Sequence, residues 1–208
     1  TNWMDISGKG NHATPKDASS RPQFSGNSIS FDGNDDYLRA PLNDSTKVNG
    51  KSFYSFMVYE GINSQHSTFL IGNYESSTPS FWGMYYLYYD LVRFSARDTS
   101  EDYKTHVGED ISGTINDGAF HILSVGYNKT AEKAYMTYDG EKAEATWTPG
   151  NLDPNSNNTH LVIGGGHLNR FAEGFMKELI YFSSDTPLSD QDIATIQAYL
   201  AAKWGLQA

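Results

Sequence analysis

The chain has 208 residues, no cysteine, and 15 Lys and Arg residues against 25 Asp and Glu residues, which gives a formal net charge of −10. Without cysteine, a disulfide framework, a thiolate metal site and a cysteine nucleophile are excluded. The negative charge repels phosphate backbones and anionic lipids, so we expect no nucleic-acid partner. No apolar run approaches the roughly 18 residues of a membrane span, so we expect no membrane insertion.

Short apolar segments separated by turn residues fill most of the chain, a pattern typical of an all-β sandwich or barrel. No linker divides the sequence, and we expect a single domain over residues 1–208. The sequence opens on Thr1 rather than Met, and we expect it to be the C-terminal part of a longer chain. The predicted strands, in chain order, are Ser28–Phe31, Ser52–Tyr59, Phe69–Gly72, Trp82–Tyr89, Leu91–Ala96, Phe120–Tyr127, Lys133–Tyr138, Leu161–Ile163 and Phe175–Phe182.

An acidic loop follows the first predicted strand. Its sequence, Asp32-Gly33-Asn34-Asp35-Asp36, places four oxygen-bearing side chains within five residues. Calcium takes about six to eight hard oxygen ligands from carboxylates, amides and backbone carbonyls, and a glycine lets the backbone turn toward the ion. The loop is not an EF-hand, because Tyr37 and Asn43 occupy the positions of its Gly and Glu. The alternative is an Asx-rich turn held by its own side-chain hydrogen bonds.

Residues 81–89 carry aromatic side chains on both faces of the strand expected there. The next predicted strand adds Arg93 and Arg97 on its polar face. A row of rings beside guanidinium groups suits sugars, which stack a CH face and form hydrogen bonds through their hydroxyls. The strand register decides which row of rings is exposed, and the alternative is that the rings only cover a solvated sheet face. We predict as ligand-binding residues Trp82, Tyr86, Tyr88 and Arg93.

A glycine-rich loop, Gly164-Gly165-Gly166-His167-Leu168-Asn169-Arg170, is a second candidate for ligand binding. Consecutive glycines permit unusual backbone angles and the close approach of a ligand, and polar side chains follow directly. The loop does not have the spacing of a dinucleotide fingerprint. We predict His167, Asn169 and Arg170 as ligand-binding residues, with a flexible connection between strands as the alternative.

The C-terminal segment predicts one amphipathic helix over Ser189–Trp204. Its apolar residues recur three and four positions apart along one face. Ser189 and Asp192 approximate a capping box, and Gly205 is suited to end the helix. We expect this helix to pack on the sandwich in a structural role.

Three stretches of the chain, together and in this order, resemble the concanavalin A-like lectin/glucanase superfamily, in particular its laminin-G-like jelly-roll domains. They are Trp3–Ala13, Phe31–Leu38, and Gly174–Ile193 with the closing helix. Phe120-His121 and Tyr138-Asp139-Gly140-Glu141 are similar to further family motifs. The resemblance implies a two-sheet antiparallel jelly-roll sandwich with structural calcium and a carbohydrate-binding role.

The resemblance also implies two further metal ligands, Asp5 near the N-terminus and Glu178 on a late strand. One departure from the family pattern is Lys177, where relatives often carry an acid. The predicted calcium ligands are therefore Asp5, Asp32, Asn34, Asp36 and Glu178.

The sequence lacks the signatures of an enzyme. The glucanase branch of the superfamily carries three acids spaced E-x-D-x-x-E or E-x-D-x-E on one strand, and no such run exists here. The six histidines form no metal-binding motif, and no G-x-S-x-G elbow is present. His121, beside Phe120 on a strand, is predicted to be a structural histidine with satisfied hydrogen bonds. The alternative is a lyase or hydrolase whose site is assembled from distant positions.

We therefore expect a non-catalytic, extracellular domain that binds a cell-surface carbohydrate or another host receptor. The length and acidity are similar to those of the receptor-binding head of the spike of marine lipid-containing bacteriophages, the corticoviruses. A host-recognition head on a virion surface, oligomeric through the rest of its chain, is the first hypothesis. The alternative is a carbohydrate-binding or adhesion module of a secreted bacterial polysaccharide-active protein.

Overall fold

The computed structural model describes residues 2–43, 46–48, 50–62, 68–73, 81–87, 91–97, 103–107, 115–147, 160–165 and 170–207. This part of the chain contains fourteen strands and one helix. The strands form two sheets of seven, and all paired neighbours are antiparallel. The predicted all-β jelly-roll sandwich with one C-terminal helix is confirmed.

The first sheet, called sheet I, contains most of the short strands. Its strands, in spatial order, are β1 (Thr14–Pro15), β4 (Leu38–Pro41), β13 (His160–Ile163), β6 (Thr68–Gly72), β7 (Phe81–Leu87), β8 (Leu91–Arg97) and β9 (Tyr103–Val107).

The second sheet, called sheet II, contains the two longest strands at its centre. Its strands, in spatial order, are β12 (Glu141–Thr146), β11 (Lys133–Tyr138), β10 (His121–Asn128), β5 (Ser52–Gly61), β14 (Glu173–Ser184), β3 (Ser28–Asp32) and β2 (Gln23–Ser25).

The side chains of β5 contribute to an apolar cluster on each face of sheet II. Phe53, Met57 and Tyr59 belong to the core between the sheets, whereas Tyr54 and Phe56 belong to a second apolar cluster beneath the helix. Because both faces of the strand are covered, it carries four consecutive apolar residues, Phe56 to Tyr59, instead of alternating apolar and polar residues.

The helix, α1 (Asp190–Trp204), covers the outer face of sheet II. Ser189 caps it in a capping box with Asp192, and Gly205 ends it in the left-handed conformation at φ 68°. Ile193 and Leu200 are buried against the sheet. The predicted helix and both of its caps are confirmed. Within the described residues, no helix is long and apolar enough to cross a membrane.

Five strands were not predicted, namely β1, β2, β4, β9 and β12. They have two to six residues; β1, β2, β9 and β12 are the edge strands of the two sheets, and β4 lies next to the edge strand β1. Such strands carry little apolar periodicity of their own, since one side of them remains open to solvent. Asp139 and Gly140 form the tight turn between β11 and β12, and both residues have positive φ, at 45° and 87°.

Candidate ligand-binding and metal site

The acidic loop 32–36 brings three carboxylates together. Oxygens of Asp32, Asp35 and Asp36 all lie within 4.8 Å of one another. Gly33 turns the backbone at φ 78°, and the backbone N–H of Asn34 donates to Asp32 Oδ1 over 2.9 Å. The hydrogen bonds of an Asx turn are thus present together with the carboxylate cluster, so the two interpretations of this sequence are compatible.

Asp36 is the buried member of the cluster, with 5% of its surface exposed. Its Oδ2 accepts the backbone N–H of Asp32 over 3.1 Å. Burial, reinforced by the charges of Asp32 and Asp35, raises the pKa of Asp36 to about 6. Burial also opposes ionisation of Asp32, but hydrogen bonds from Asn34, Asp35 and Asp36 lower the pKa of that carboxyl. The cluster therefore holds negative charges at a cost that a bound cation would relieve.

A fourth carboxylate borders this loop and was missed by the sequence reasoning. Glu173 begins β14 directly opposite Asp32 in β3. A Cβ placed on Gly33 would lie 3.3 Å from Glu173 Oε2, so the glutamate side chain lies against the turn of the loop. The backbone carbonyl of Glu173 accepts the Tyr59 hydroxyl over 2.9 Å, which holds this residue in position. Only the pairing of β3 with β14 could have indicated it.

Asp5 and Glu178 are not brought to the acidic loop. Asp5 accepts the backbone N–H groups of Ser7 and Asn11, each over 2.8 Å. The Ser7 side-chain hydrogen bond, followed by those backbone donors, lowers the pKa of Asp5. Among the residues described, the metal-type cluster comprises Asp32, Asp35 and Asp36, so the predicted five-ligand set is not assembled.

The position of Glu178 has a specific cause, which is a β-bulge at Lys177. Met176 pairs with Tyr59, but Glu178 pairs with the next residue along β5, Val58. The extra residue reverses the side-chain alternation of β14. Glu178 therefore lies on the outer face of sheet II, where its Oε2 accepts the indole N–H of Trp204 over 2.7 Å.

The register of β7 differs from the one required by the predicted ligand-binding row of Trp82, Tyr86 and Tyr88. Trp82 and Tyr86 pair with Ala96 and Val92, two residues buried in the core between the sheets. Residues directly opposite each other share one face of a sheet, so the backbone register places positions 82 and 86 on the face that carries Ala96 and Val92. This register is contrary to the exposed platform predicted at Trp82 and Tyr86, whereas Tyr88 lies outside the described residues.

The other aromatic row has the predicted guanidinium neighbours. Phe81 pairs with Arg97, and Tyr85 pairs with Arg93. The positions that combine rings with arginines on the outer face of sheet I are therefore Phe81 and Tyr85. Arg93, one of the predicted ligand residues, keeps its place in this row and is partly exposed.

The same outer face of sheet I carries a small buried cluster. Phe69 and Val162 are buried together with Tyr37, and Phe171 packs on them. The rings of Tyr37 and Phe171 have centroids 6.2 Å apart, and the Arg39 guanidinium lies 5.7 Å from the Tyr37 centroid. These side chains form a small apolar cluster on the outer face of sheet I, beside the acidic loop.

The two ends of the glycine-rich connection are hydrogen-bonded to each other and to the acidic loop. The backbone N–H of Ala172 donates to the Gly164 carbonyl over 2.7 Å, and the Gly33 N–H donates to the Ala172 carbonyl over 2.8 Å. Arg170 is partly exposed at the end of the connection. His167 and Asn169 lie outside the described residues. Two candidate regions that are far apart in sequence are therefore neighbours in the fold.

His121 is held on both ring nitrogens, as predicted for a structural histidine. Its Nδ1 lies 2.7 Å from Asp139 Oδ2 and 2.9 Å from the Tyr138 hydroxyl, and its Nε2 lies 3.1 Å from Asp117 Oδ1. Burial opposes protonation, but the hydrogen bonds with Asp139 and Asp117 outweigh it and raise the pKa of His121. A ring occupied in this way is not arranged as a general base.

No family model and no curated protein match this chain. Solved structures do. The botulinum neurotoxin serotype D binding domain has a TM-score of 0.68 at 15% identity, over 94% of this chain and 48% of that one. Domains LG4-5 of the mouse laminin alpha1 chain have a TM-score of 0.59 at 18% identity, over 84% of this chain and 47% of that one.

A third similar structure is the CBM40 of the Ruminococcus gnavus IT-sialidase bound to α2,3-sialyllactose. Its TM-score is 0.55 at 11% identity, over 71% of this chain and 83% of that one. The chain spans about half the length of the laminin and neurotoxin structures. At these identities the similarity establishes only the fold, a two-sheet antiparallel jelly roll, and function must be argued from the site.

Proposed function

We propose that this chain is a non-catalytic carbohydrate-binding domain that recognises a glycan on the outer face of sheet I, beside the acidic loop. The observation that supports this most is the meeting of the acidic loop 32–36 with the Gly164–Ala172 connection. This region combines carboxylates, the contacts of Tyr37 with Arg39 and Phe171, and the nearby positions of Tyr85 and Arg93. Rings, guanidinium groups and oxygen ligands are the groups that recognise sugars.

Calcium at the acidic loop is part of the proposal. Carboxylates within 4.8 Å of one another, one of them with a raised pKa, match the hard oxygen ligands that calcium prefers. Asp32, Asn34, Asp35 and Asp36 would hold the ion, and Glu173 would add a further carboxylate. A bound ion would offer open coordination positions to sugar hydroxyls and would fix the loop beside the connection.

Binding without catalysis agrees with the arrangement of the described acids and histidines. Both nitrogens of His121 are occupied, Glu178 is held by the helix, and the acidic cluster occupies a turn. The three similar structures described above are a neurotoxin binding domain, laminin domains and a carbohydrate-binding module, whereas a further similar structure is the NanB sialidase of Streptococcus pneumoniae. The three together favour binding over hydrolysis.

For the parent protein we keep the two hypotheses drawn from the sequence. The first is a host-recognition head of a phage spike, and the second is an adhesion module of a secreted bacterial polysaccharide-active protein. Both place the domain outside the cell, facing a surface glycan. The three similar structures described above belong to mouse laminin, a botulinum neurotoxin and a Ruminococcus gnavus sialidase, and they favour neither parent. The full reading frame would decide between a virion anchor and a catalytic neighbour.

The experiment is a glycan-binding panel that includes α2,3-sialyllactose, run with calcium and with a chelator. We expect calcium-dependent retention of at least one glycan, weakened about tenfold by Arg93→Ala, since a hydrogen bond from a charged group contributes roughly 1.5–3 kcal/mol. The matched control is Lys16→Ala, an exposed cation. Retention of no glycan in either condition contradicts the proposal, and new reducing ends or unsaturated products contradict its non-catalytic part.

A further inference from the structure

A cleft of about 390 Å³ follows the second half of β14. Its lining includes five consecutive residues of that strand, Lys177 to Tyr181. Successive side chains of a strand point to opposite faces of its sheet. A cleft lined by all five therefore runs along the edge of the strand and not along either face.

The pairing of β14 with its neighbouring strands explains why the cleft borders this edge. β3 pairs with β14 only from Glu173 to Met176, whereas β5 follows β14 to Ser184. β3 begins at Ser28, where its hairpin turns back to β2. Among the strands of the described part of the chain, β5 is thus the ladder partner of β14 beyond Lys177. A strand edge of this kind presents a row of backbone donors and acceptors.

The two sides of the cleft have opposite character. Its deep side is formed by residues of the core between the sheets, among them Ala40, Leu161 and Leu179. Its outer side carries the charged residues Glu178 and Lys203, which pair with each other over 2.9 Å. A group that enters the cleft therefore meets an apolar interior and a charged rim.

The N-terminal segment also lines the cleft, and it exposes two large apolar side chains there. Met4 is 58% exposed and Ile6 is 92% exposed, and both line the cleft. Exposed apolar side chains beside an apolar cavity indicate a contact surface more than a solvated loop.

We propose that this cleft binds an extended peptide segment of a partner protein, which adds to β14 as a further strand. A strand supplies backbone groups to the edge and alternates its side chains between the two sides. The cleft therefore selects apolar residues at alternate positions, directed to the core side, with polar residues between them. A sugar fits these walls poorly, because the deep side offers aliphatic groups and few hydrogen-bond partners. The site is separate from the glycan site proposed above.

The probe is a synthetic peptide, acetyl-Lys-Val-Thr-Val-Thr-Val-Lys-amide, titrated into the isotope-labelled chain without any glycan. We expect saturable shifts of the amide signals of Glu178 and Leu179 and slower amide hydrogen exchange there. Ile6→Ser should weaken binding about tenfold, since it removes an apolar contact. The matched control is Ile62→Ser, another exposed isoleucine at 49% exposure that does not line the cleft.

Two further peptides distinguish strand addition from non-specific hydrophobic binding. One carries N-methyl groups on its valine amides and the other on its threonine and lysine amides. Alternate amides of a strand point to opposite edges, so we expect one peptide to bind like the parent and the other to lose binding. Equal binding of both peptides overturns the proposal, as does absence of binding by the parent peptide. Dimerisation of the chain that Ile6→Ser abolishes and Ile62→Ser does not would assign the cleft to a second copy and also overturn it.

Discussion

The indole N–H of Trp204 donates a 2.7 Å hydrogen bond to Glu178 Oε2, and this contact joins the last turn of α1 to β14. Lys203 donates to the same carboxylate at 3.0 Å. A residue that the family resemblance assigned to calcium thus anchors the helix on the outer face of sheet II. The helix closes the apolar cluster of this face, so its attachment bears on the stability of the whole sheet.

The first prediction follows from this anchor. Glu178→Ala leaves the Trp204 indole N–H without its acceptor, and a lost hydrogen bond to a charged group costs roughly 1.5–3 kcal/mol. We expect the free energy of unfolding to fall by about 2 kcal/mol, measured by denaturant titration. The response of the melting temperature to calcium should remain as in the parent protein. Loss of the calcium response in Glu178→Ala would instead return this residue to the metal site.

The central elements of the fold were predictable because their signals are local. β5 is a long apolar run, and α1 has apolar residues at helical spacing between a capping box and a glycine. The short strand β9 carries no such signal, since pairing with β8 defines it. Local patterns therefore identified the elements buried on both faces and missed short strands at the margins.

The candidate site, too, could be predicted from the sequence only where its residues lie close together in the chain. The acidic cluster was found because its carboxylates lie within five residues of one another. Glu173 was missed because only the pairing of β3 with β14 brings it to the loop. Glu178 was misplaced by a single bulge residue, and the exposed aromatic row was misassigned because register is set by the partner strand.

The second prediction concerns the two aromatic rows of β7. Trp82 is at a position opposite the buried Ala96, whereas Tyr85 is opposite Arg93. Truncation of a core tryptophan costs about 3–5 kcal/mol. We expect Trp82→Ala to lower the unfolding free energy by about that amount. Tyr85→Ala should cost about 1 kcal/mol or less and reduce glycan binding. If Trp82→Ala keeps the stability of the parent protein and loses glycan binding, the row of Trp82 and Tyr86 is the ligand-binding row, as the sequence predicted.

The third prediction concerns pH and His121. Its hydrogen bonds with Asp139 and Asp117 raise its folded-state pKa above the ordinary 6.5 despite burial. A raised pKa means that the folded state holds the proton more tightly. The resulting stabilisation is complete below pH 6.5 and is lost as the pH rises through the raised value.

The measurement compares the parent protein with His121→Asn by thermal unfolding from about pH 5 to about pH 8, a range around the ordinary histidine pKa. We expect the parent to be more stable at the acidic end by roughly 1–2 kcal/mol, with the difference shrinking as the pH rises. Asp117→Asn, which removes the negative charge beside His121 Nε2, should shift the decline to lower pH. A difference that grows with pH would show that His121 is held neutral.

The last prediction concerns calcium at the acidic loop. The carboxylates of Asp32, Asp35 and Asp36 lie close together, and burial, followed by the charges of Asp32 and Asp35, raises the pKa of Asp36. An ion that binds only the folded state stabilises it by about 2.7 kcal/mol at a hundredfold excess over its Kd. For a domain of this size, that corresponds to a rise of roughly 5–10 °C in melting temperature. We expect this rise when millimolar calcium is added to chelator-treated protein, and a smaller rise with magnesium, which tolerates irregular oxygen ligands poorly.

The variants for this test differ only in charge. Asp36→Asn and Asp32→Asn should abolish most of the calcium-dependent rise, because each removes a carboxylate ligand while preserving the shape of the side chain. Glu173→Gln should reduce the rise by a smaller amount, since Glu173 borders the loop without belonging to the tight cluster. Asp185→Asn, at an exposed acid remote from the loop in sequence, is the matched control and should respond as the parent does. Identical melting curves with calcium and with chelator would remove the metal and leave residues 32–36 as an Asx turn.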